Sequence, residues 1–188
     1  MTTIIGVQEE DRAVMYADYQ VSSESESFVS KTARKICRNF SLAYGTAGNG
    51  RLCDYIQYDW EPPQPDMEPS DWRASAKADE EWAYYWLITT FVPDLKRALR
   101  REGYELGSDG VDFQMIIIVR GFVFQIESDG TVMNRMHGLY GIGTGGSYAL
   151  GALITGADHL QAMRAAETFD AFSASFDDTF DEVSVEKK

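Results

Sequence analysis

The first candidate for a catalytic residue is Thr2, because it directly follows Met1. Methionine aminopeptidases generally remove Met ahead of a small residue, so we expect Thr2 to become a free N-terminus. Such a residue carries a hydroxyl nucleophile and, in its own α-amine, a general base with a pKa of about 7.7–8.0. The pattern permits acyl transfer through an N-terminal threonine, a known variant of triad chemistry, although many chains begin with Met-Thr.

Two charged residues are candidates to support that nucleophile. Asp18 follows the apolar residues 15–17, and Lys35 precedes the apolar pair Ile36 and Cys37. Taken singly, they are equally well interpreted as a strand-end carboxylate and a surface lysine. If both lay beneath Thr2, the lysine charge would favour the neutral α-amine, and the carboxylate would orient the lysine.

The first half of the chain alternates short strands with turns before it becomes helical. The residue types predict strands over 3–7, 13–17, 35–38 and 40–45, with a surface loop or ragged strand over 21–30. A helix is expected from about residue 48 until just before the prolines that follow Glu61. Apolar residues at helical spacing predict further helix over 71–101, which Pro93 should kink or split.

The second half repeats this order of strands followed by helices. The apolar run 115–119 predicts a buried strand, and Gly121 turns the chain into a second strand over 122–126. Helices are expected after Gly145 and over 159–172, with a closing strand over 180–185. The order predicts two sheets sandwiched between helical layers. We expect one domain over residues 1–188, with Met1 removed.

An ordered set of short segments carries a family resemblance. They are TTIIGV at 2–7, ADYQ at 17–20, KI at 35–36, TAG at 46–48 and GIGTGGSYA at 141–149. The set resembles the proteasome β-subunit family and, within it, the bacterial HslV peptidases, which also begin Thr-Thr directly after Met. The resemblance spans nearly the whole chain and is weakest over residues 57–110.

The resemblance implies roles for the residues that match. Thr2 is the nucleophile, Lys35 tunes its amine, and Asp18 orients Lys35. Lys35 fits after a one-residue insertion, and Arg34 is the alternative if the insertion lies elsewhere. Gly48 supplies a backbone N–H to the oxyanion hole.

Further roles are implied on either side of the nucleophile. Thr144 stands where the family has a serine hydroxyl near the terminal amine. Asp170 and Ser173 match a late Asp-x-x-Ser that completes the hydrogen-bond network, although that spacing also fits two ordinary helix-surface residues. Thr46 and Ala47 are expected to contact substrate, with Thr46 in the wall of the first specificity pocket.

The implied protein is a threonine-type endopeptidase with the four-layer αββα sandwich of the N-terminal-nucleophile hydrolases. It uses no cofactor, assembles from copies of itself into stacked rings, and receives unfolded polypeptide from an ATP-dependent unfoldase. Two alternatives remain open. One is a catalytically decayed ring subunit of the same fold, and the other is an amidase of the same fold that acts on a small molecule.

Composition argues against several other classes of protein. The net charge of −13 disfavours nucleic acid as a partner, and the basic run 96–101 is interpreted as a solvated helix face. Two cysteines, Cys37 and Cys53, are too few for a disulfide framework and suggest buried thiols. No segment approaches the length of a transmembrane helix, and the N-terminus lacks signal-peptide features. We therefore expect a cytoplasmic protein without a membrane partner.

Three local patterns are weak evidence for other sites. Residues 141–146 satisfy G-x-G-x-x-G, but a dinucleotide site needs a βαβ unit, and only some forty residues follow. His137 and His159 are too far apart in sequence for a helical zinc pair. The acidic residues within 177–182 are interpreted as a solvated terminus.

Overall fold

Antiparallel strands dominate the start of the chain and bring its N-terminus into the centre of a sheet. The computed structural model describes residues 2–22, 26–65, 76–107 and 111–187, and the side chains of all of these except residues 76–78. Met1 and residues 71–75 of the expected helix lie outside the described residues. The strands are β1 (Ile4–Gln8), β2 (Arg12–Ala17), β3 (Gln20–Ser22), β4 (Ser27–Val29), β5 (Ile36–Asn39), β6 (Leu42–Gly48), β7 (Phe113–Val119), β8 (Phe122–Ile126), β9 (Val132–Met133), β10 (Leu139–Ile142) and β11 (Asp181–Glu186).

The strands form two larger sheets. One has the order β10-β1-β2-β11 and the other the order β5-β6-β7-β8-β9, with antiparallel neighbours throughout. A separate hairpin pairs β3 with β4, where the sequence predicts a loop or ragged strand. Because β1 is a central strand, its flanking residues Thr2 and Thr3 are held inside the molecule, 6% and 0% exposed.

Helices cover the outer faces of the two sheets. They are α1 (Gly50–Asp54), α2 (Ala76–Trp86), α3 (Val92–Arg101), α4 (Gly146–Ile154) and α5 (His159–Phe169). A π-helical turn over Leu87–Phe91 joins α2 to α3, so the helix widens next to Pro93 instead of breaking. Pro93 has no N–H to donate to the preceding turn, which accounts for the changed hydrogen bonding there.

Three clusters of buried apolar residues fill the spaces between the four layers. One packs α2 and α3 against the five-stranded sheet, a second lies between the sheets, and a third packs α4 and α5 against the four-stranded sheet. Strand β7 is apolar over residues 115–119 because Met115 and Ile117 face the first cluster while Ile116 and Ile118 face the second. The predicted four-layer αββα sandwich is confirmed.

Of two charged segments predicted to be solvated, the structure confirms one and contradicts the other in part. The basic run is solvated as predicted, with Arg97 and Arg100 in ion pairs whose arginine side chains are 66% and 67% exposed. The acidic residues were expected to be solvated, and that is wrong for Asp181, which is 7% exposed at the start of β11. Its Oδ2 has no hydrogen-bond partner among the described residues. Burial follows because β11 pairs with β2 and carries Asp181 inward.

Candidate active site

A cavity of about 520 Å³ opens beside the N-terminal threonines. Five of the nine site residues expected from sequence line it, namely Thr2, Lys35, Thr46, Ala47 and Gly48. The other lining residues are Gln20, Val21, Ser22, Thr32, Ala33, Arg34, Gly50, Cys53, Asp54, Gln57 and Tyr58. Residues from β3, the segment before β5, the end of β6 and α1 therefore surround one space.

Thr2 is fixed by the turn that precedes α4. Its carbonyl accepts a hydrogen bond from the Gly145 N–H at 3.4 Å. Gly143 has a φ of +77°, and a Cβ at that position would overlap the Thr2 carbonyl. A glycine is needed here both for its left-handed backbone and for the close approach of Thr2. Gly143 and Gly145 thus permit close packing around the N-terminal threonines, while Gly141 and Gly146 pack against each other.

Asp18 is the most heavily hydrogen-bonded carboxylate near the cavity. Its Oδ1 accepts from the Thr3 N–H at 2.7 Å and from Lys35 Nζ at 2.7 Å. Its Oδ2 accepts from the Gln20 N–H at 3.0 Å. The Asp18 side chain is 0% exposed and that of Lys35 is 10% exposed, so the ion pair lies almost out of contact with solvent.

Burial works against the charge on Lys35. Loss of hydration lowers the pKa of its ammonium below the usual lysine range, and the attraction of Asp18 opposes that shift. The charge of the Asp170 carboxylate, like that of Asp18, raises the pKa of Lys35 and so opposes the effect of burial. Lys35 therefore gives up its proton more readily than a surface lysine, while its position stays fixed by Asp18.

The structure distinguishes between the two candidate basic residues. Arg34 also lines the cavity, but its side chain is 62% exposed and its nearest carboxylate, Asp181, is 4.0 Å away. Lys35 alone of the two reaches Asp18. The contact with Asp18 therefore favours Lys35 over Arg34 as the basic residue of the candidate site.

Gly48 ends β6 in a conformation that favours glycine. Its φ is +125°, and a Cβ there would overlap the Asp112 carbonyl. The Thr46 N–H donates to the Lys35 carbonyl at 3.3 Å, on the edge of β6 that faces β5. Because N–H groups alternate between the two edges of a strand, the Gly48 N–H points to that same edge. Strand β5 begins at Ile36, which pairs with Gly45, so β5 does not extend along β6 as far as Gly48. The Gly48 N–H is therefore not covered by β5 where β6 borders the cavity.

A second network lies on the other side of Thr2. The Thr144 hydroxyl donates to Asp170 Oδ2 at 2.9 Å, and the Ser173 hydroxyl donates to the same oxygen at 2.6 Å. Ser173 Oγ lies 2.5 Å from Thr3 Oγ1. Sequence had expected Asp170 and Ser173 within the last helix, but α5 ends at Phe169 and both residues follow it. Leaving the helix turns them inward, and they are 8% and 5% exposed.

Two residues at the site were missed by sequence reasoning. Thr3 was treated only as a strand residue, although both its N–H and its hydroxyl bond to site residues. Cys53 lines the cavity from α1 next to Thr46, and burial raises the pKa of its thiol. Cys53 lies three residues before the fully buried Ile56, and that helical spacing of apolar residues could have indicated an inward position.

The weaker site hypotheses gain no support. Strand β10 is antiparallel to β1, so the G-x-G-x-x-G residues do not sit in a βαβ unit. His137 is exposed and is not among the residues that line the cavity. Within the described ranges, no three His, Cys, Asp or Glu side chains are grouped to hold a metal ion. No helix in that part of the chain is long and apolar enough to cross a membrane.

Solved structures resemble this chain over nearly its full length. BPH from Thiobacillus denitrificans, in complex with epoxomicin, matches with a TM-score of 0.69 at 20% identity, covering 99% of both chains. A second BPH structure matches with a TM-score of 0.68 at 20% identity, covering 99% of this chain and 98% of that one. A eukaryotic HslV from Trypanosoma brucei gives a TM-score of 0.61 at 22% identity, covering 98% of this chain and 99% of the other.

Sequence comparison alone adds nothing further, since no protein-family model and no curated protein matches the chain. The structural matches extend over 98–99% of this chain and 99% of the matched chains. The resemblance inferred from the sequence is confirmed at the level of the fold. This chain has the αββα fold of HslV and the other proteasome-type proteins.

Proposed function

We propose that this chain is a threonine-type endopeptidase subunit of the HslV and proteasome kind, with Thr2 as its N-terminal nucleophile once Met1 is removed. One observation carries the proposal. Thr2 lines the cavity of about 520 Å³ together with Lys35, whose ammonium is held 2.7 Å from the buried carboxylate of Asp18. A nucleophile, a tuned cation and a fixed carboxylate beside a substrate-sized space suit acyl transfer.

In the proposed first step, the Thr2 hydroxyl oxygen bonds to the carbonyl carbon of a peptide bond in the cavity. The α-amine of Thr2 takes the hydroxyl proton, directly or through a water molecule. The charge of Lys35 lowers the affinity of that amine for protons, which keeps it competent as a base near neutral pH. Asp18 keeps Lys35 in place through their ion pair.

The tetrahedral intermediate needs stabilisation of its oxyanion. The uncovered N–H of Gly48 is the donor we assign to that oxygen. Collapse of the intermediate breaks the peptide C–N bond, and the leaving amine takes up the proton held by the α-amine. Water then hydrolyses the Thr2 ester and regenerates the free hydroxyl. Thr46 and Ala47 would contact the side chain of the residue whose carbonyl is attacked.

The network of Thr144, Asp170 and Ser173 is assigned to hold the N-terminus during these steps. Thr144 replaces the serine of the family pattern, and its hydroxyl donates to Asp170 at 2.9 Å. The added methyl group does not prevent that hydrogen bond. This geometry supports an intact site over a decayed one.

We also propose that copies of the chain form stacked rings that enclose the cavities, in the cytoplasm, fed with unfolded polypeptide by an ATP-dependent unfoldase. The full-length likeness to HslV supports this assembly. So does an apolar outer surface on and beside α4 and α5, with Tyr148, Ile154, Leu160 and Phe169 between 46% and 68% exposed. Native mass measurement tests it, and a monomer would favour the small-molecule amidase alternative.

The activity is tested by hydrolysis of short unstructured peptides, which need no unfoldase. We expect turnover by the wild type, loss of turnover in Thr2→Ala, and unchanged turnover in Thr89→Val, whose hydroxyl lies in the outer helical layer. Turnover that survives in Thr2→Ala would refute the assignment of the nucleophile. A folded, ring-forming wild type without any turnover would favour the decayed ring subunit.

A further inference from the structure

Thr3 connects the ion pair of Lys35 and Asp18 to the hydrogen bonds of Ser173 and Asp170. It is 0% exposed, and its N–H donates to Asp18 Oδ1 at 2.7 Å. Its hydroxyl oxygen lies 2.5 Å from Ser173 Oγ. The N–H bond joins Thr3 to the Lys35–Asp18 ion pair, and the hydroxyl bond joins it through Ser173 to Asp170. The residue that follows Thr2 is therefore connected by hydrogen bonds to both carboxylates.

The direction of the hydroxyl protons follows from counting donors. A hydroxyl has one proton, and Ser173 donates its proton to Asp170 Oδ2 at 2.6 Å. Ser173 Oγ must therefore accept from Thr3, and the Thr3 hydroxyl is the donor. The Thr3 and Ser173 protons therefore both point along one chain of hydrogen bonds toward Asp170 Oδ2.

The peptide unit between Thr2 and Thr3 is held at both of its polar ends. Its carbonyl accepts from the Gly145 N–H at 3.4 Å, and its N–H donates to Asp18 at 2.7 Å. A peptide unit is planar, so fixing both groups fixes its orientation. The Cα of Thr2, which carries the hydroxyl side chain and the α-amine, is set by that plane.

The Thr3 hydroxyl packs directly against Gly145. A Cβ at Gly145 would lie 2.6 Å from Ser173 Oγ and would overlap the Thr3 hydroxyl oxygen. The absence of a side chain at Gly145 is therefore what admits the hydrogen bond between Thr3 and Ser173.

We infer that Thr3 is a positioning residue for the reaction at Thr2: its hydroxyl bond to Ser173 holds the peptide unit that aims the Thr2 nucleophile. This inference rests on the proposed function, because it assigns Thr3 a role in that same site. The hydroxyl of Thr3 makes no bond to substrate in this scheme and acts through Thr2.

The test measures inactivation by a peptide epoxyketone, as the maximal rate kinact and the half-saturating concentration KI. Thr3→Val removes the hydroxyl and keeps the branched shape, and we expect kinact to fall about 10- to 100-fold with KI unchanged, since misalignment of the nucleophile affects the reaction step. Thr3→Ser keeps the hydroxyl and should restore most of the rate. Thr89→Val, which also loses a hydroxyl bond at 2.8 Å, should behave as wild type.

A double variant separates this bond from general damage. Thr3→Val combined with Ser173→Ala should slow inactivation by less than the product of the two single effects, because both single changes remove the bond between Thr3 and Ser173, whereas only Ser173→Ala also removes the bond to Asp170. If Thr3→Val fails to fold, Ser173→Ala by itself should show a fall in kinact at least as large, at unchanged KI.

The outcomes separate the inference from the function on which it rests. Equal kinact in folded Thr3→Val and in wild type would overturn the inference and leave the proposed function standing. A parallel loss in Thr3→Ser would also overturn it, since the hydroxyl would then be irrelevant. A wild type that forms no adduct would overturn the proposed function itself and the inference with it.

Discussion

Breaking the buried ion pair of Lys35 with Asp18 should destabilise the fold far more than breaking a surface pair of equal length. Lys35 Nζ and Asp18 Oδ1 are 2.7 Å apart, with side chains 10% and 0% exposed. Arg97 and Asp94 are also 2.7 Å apart, but their side chains are 66% and 32% exposed. The two pairs differ chiefly in burial, which makes Arg97→Met a matched control for Lys35→Met.

The expected magnitudes follow from that difference. Removing one partner of a buried pair leaves an uncompensated charge and destabilises by about 3–5 kcal/mol. Losing an exposed pair changes stability by about 0–1 kcal/mol. Chemical denaturation at pH 7 and one fixed protein concentration measures both, because an oligomer's stability depends on concentration. A loss below about 1 kcal/mol in Lys35→Met would refute the argument that burial decides the strength of this pair.

The pH dependence gives a second check on the same variant. Burial already raises the pKa of Asp18 above its usual range, against the attraction of Lys35 and the hydrogen bonds from the Thr3 and Gln20 N–H groups. In Lys35→Met the attraction of the lysine is lost, so the pKa of Asp18 rises further. A carboxyl whose folded pKa lies above its unfolded value favours the fold below about pH 3.9 and loses that contribution as pH rises through the folded pKa. The deficit of Lys35→Met relative to wild type should therefore narrow as pH falls from 7 toward 4. A deficit that widens in acid would contradict this assignment.

Three further predictions concern the cavity and its surroundings. Gly48→Ala should destabilise by about 1–3 kcal/mol and slow epoxyketone labelling, as measured by denaturation and intact mass, because its φ of +125° is unsuited to alanine. Gly145→Ala should slow epoxyketone labelling at least tenfold, because the added Cβ would displace Thr3. The control is Gly151→Ala in α4, where an added Cβ meets no atom within 4 Å. That variant should label at the wild-type rate, and its free energy of unfolding should rise by about 0.5–1 kcal/mol. The labelling rate of wild type should rise with pH through about 7–8 as the α-amine loses its proton, and Lys35→Met should shift that rise to higher pH, because it removes a nearby positive charge.

Much of the fold was predictable because the apolar patterns were long and consistent. Strand β7 is apolar on both faces, as expected of a strand covered on each side, and the buried Trp82 and Trp86 follow helical spacing. The hairpin of β3 with β4 was harder to predict, since each strand has only three residues and the segment 22–27 consists of Ser and Glu alone. Its pairing depends on contacts such as the hydrogen bond of Gln20 to the Ala171 carbonyl, which local sequence does not encode.

Part of the candidate site was predictable because the short segments that carry the family resemblance occur in the expected order along the chain. Lys35 and Asp18 are brought together as expected. The burial of Asp181 and the bridging position of Thr3 depend on which strands pair and on where α5 ends. Those features are tertiary, so the identity of neighbouring residues in sequence could not indicate them. The catalytic roles themselves remain predictions.

The most direct test of the central claim is the intact mass of the purified protein before and after treatment with a peptide epoxyketone, with Thr2→Ala alongside. The reagent requires both a free α-amine and a hydroxyl on the same N-terminal residue. We predict a starting mass without Met1 and a single added inhibitor in the wild type, with no addition in Thr2→Ala. A wild type that has lost Met1 and still forms no adduct, or an equal adduct in Thr2→Ala, would contradict Thr2 as the nucleophile.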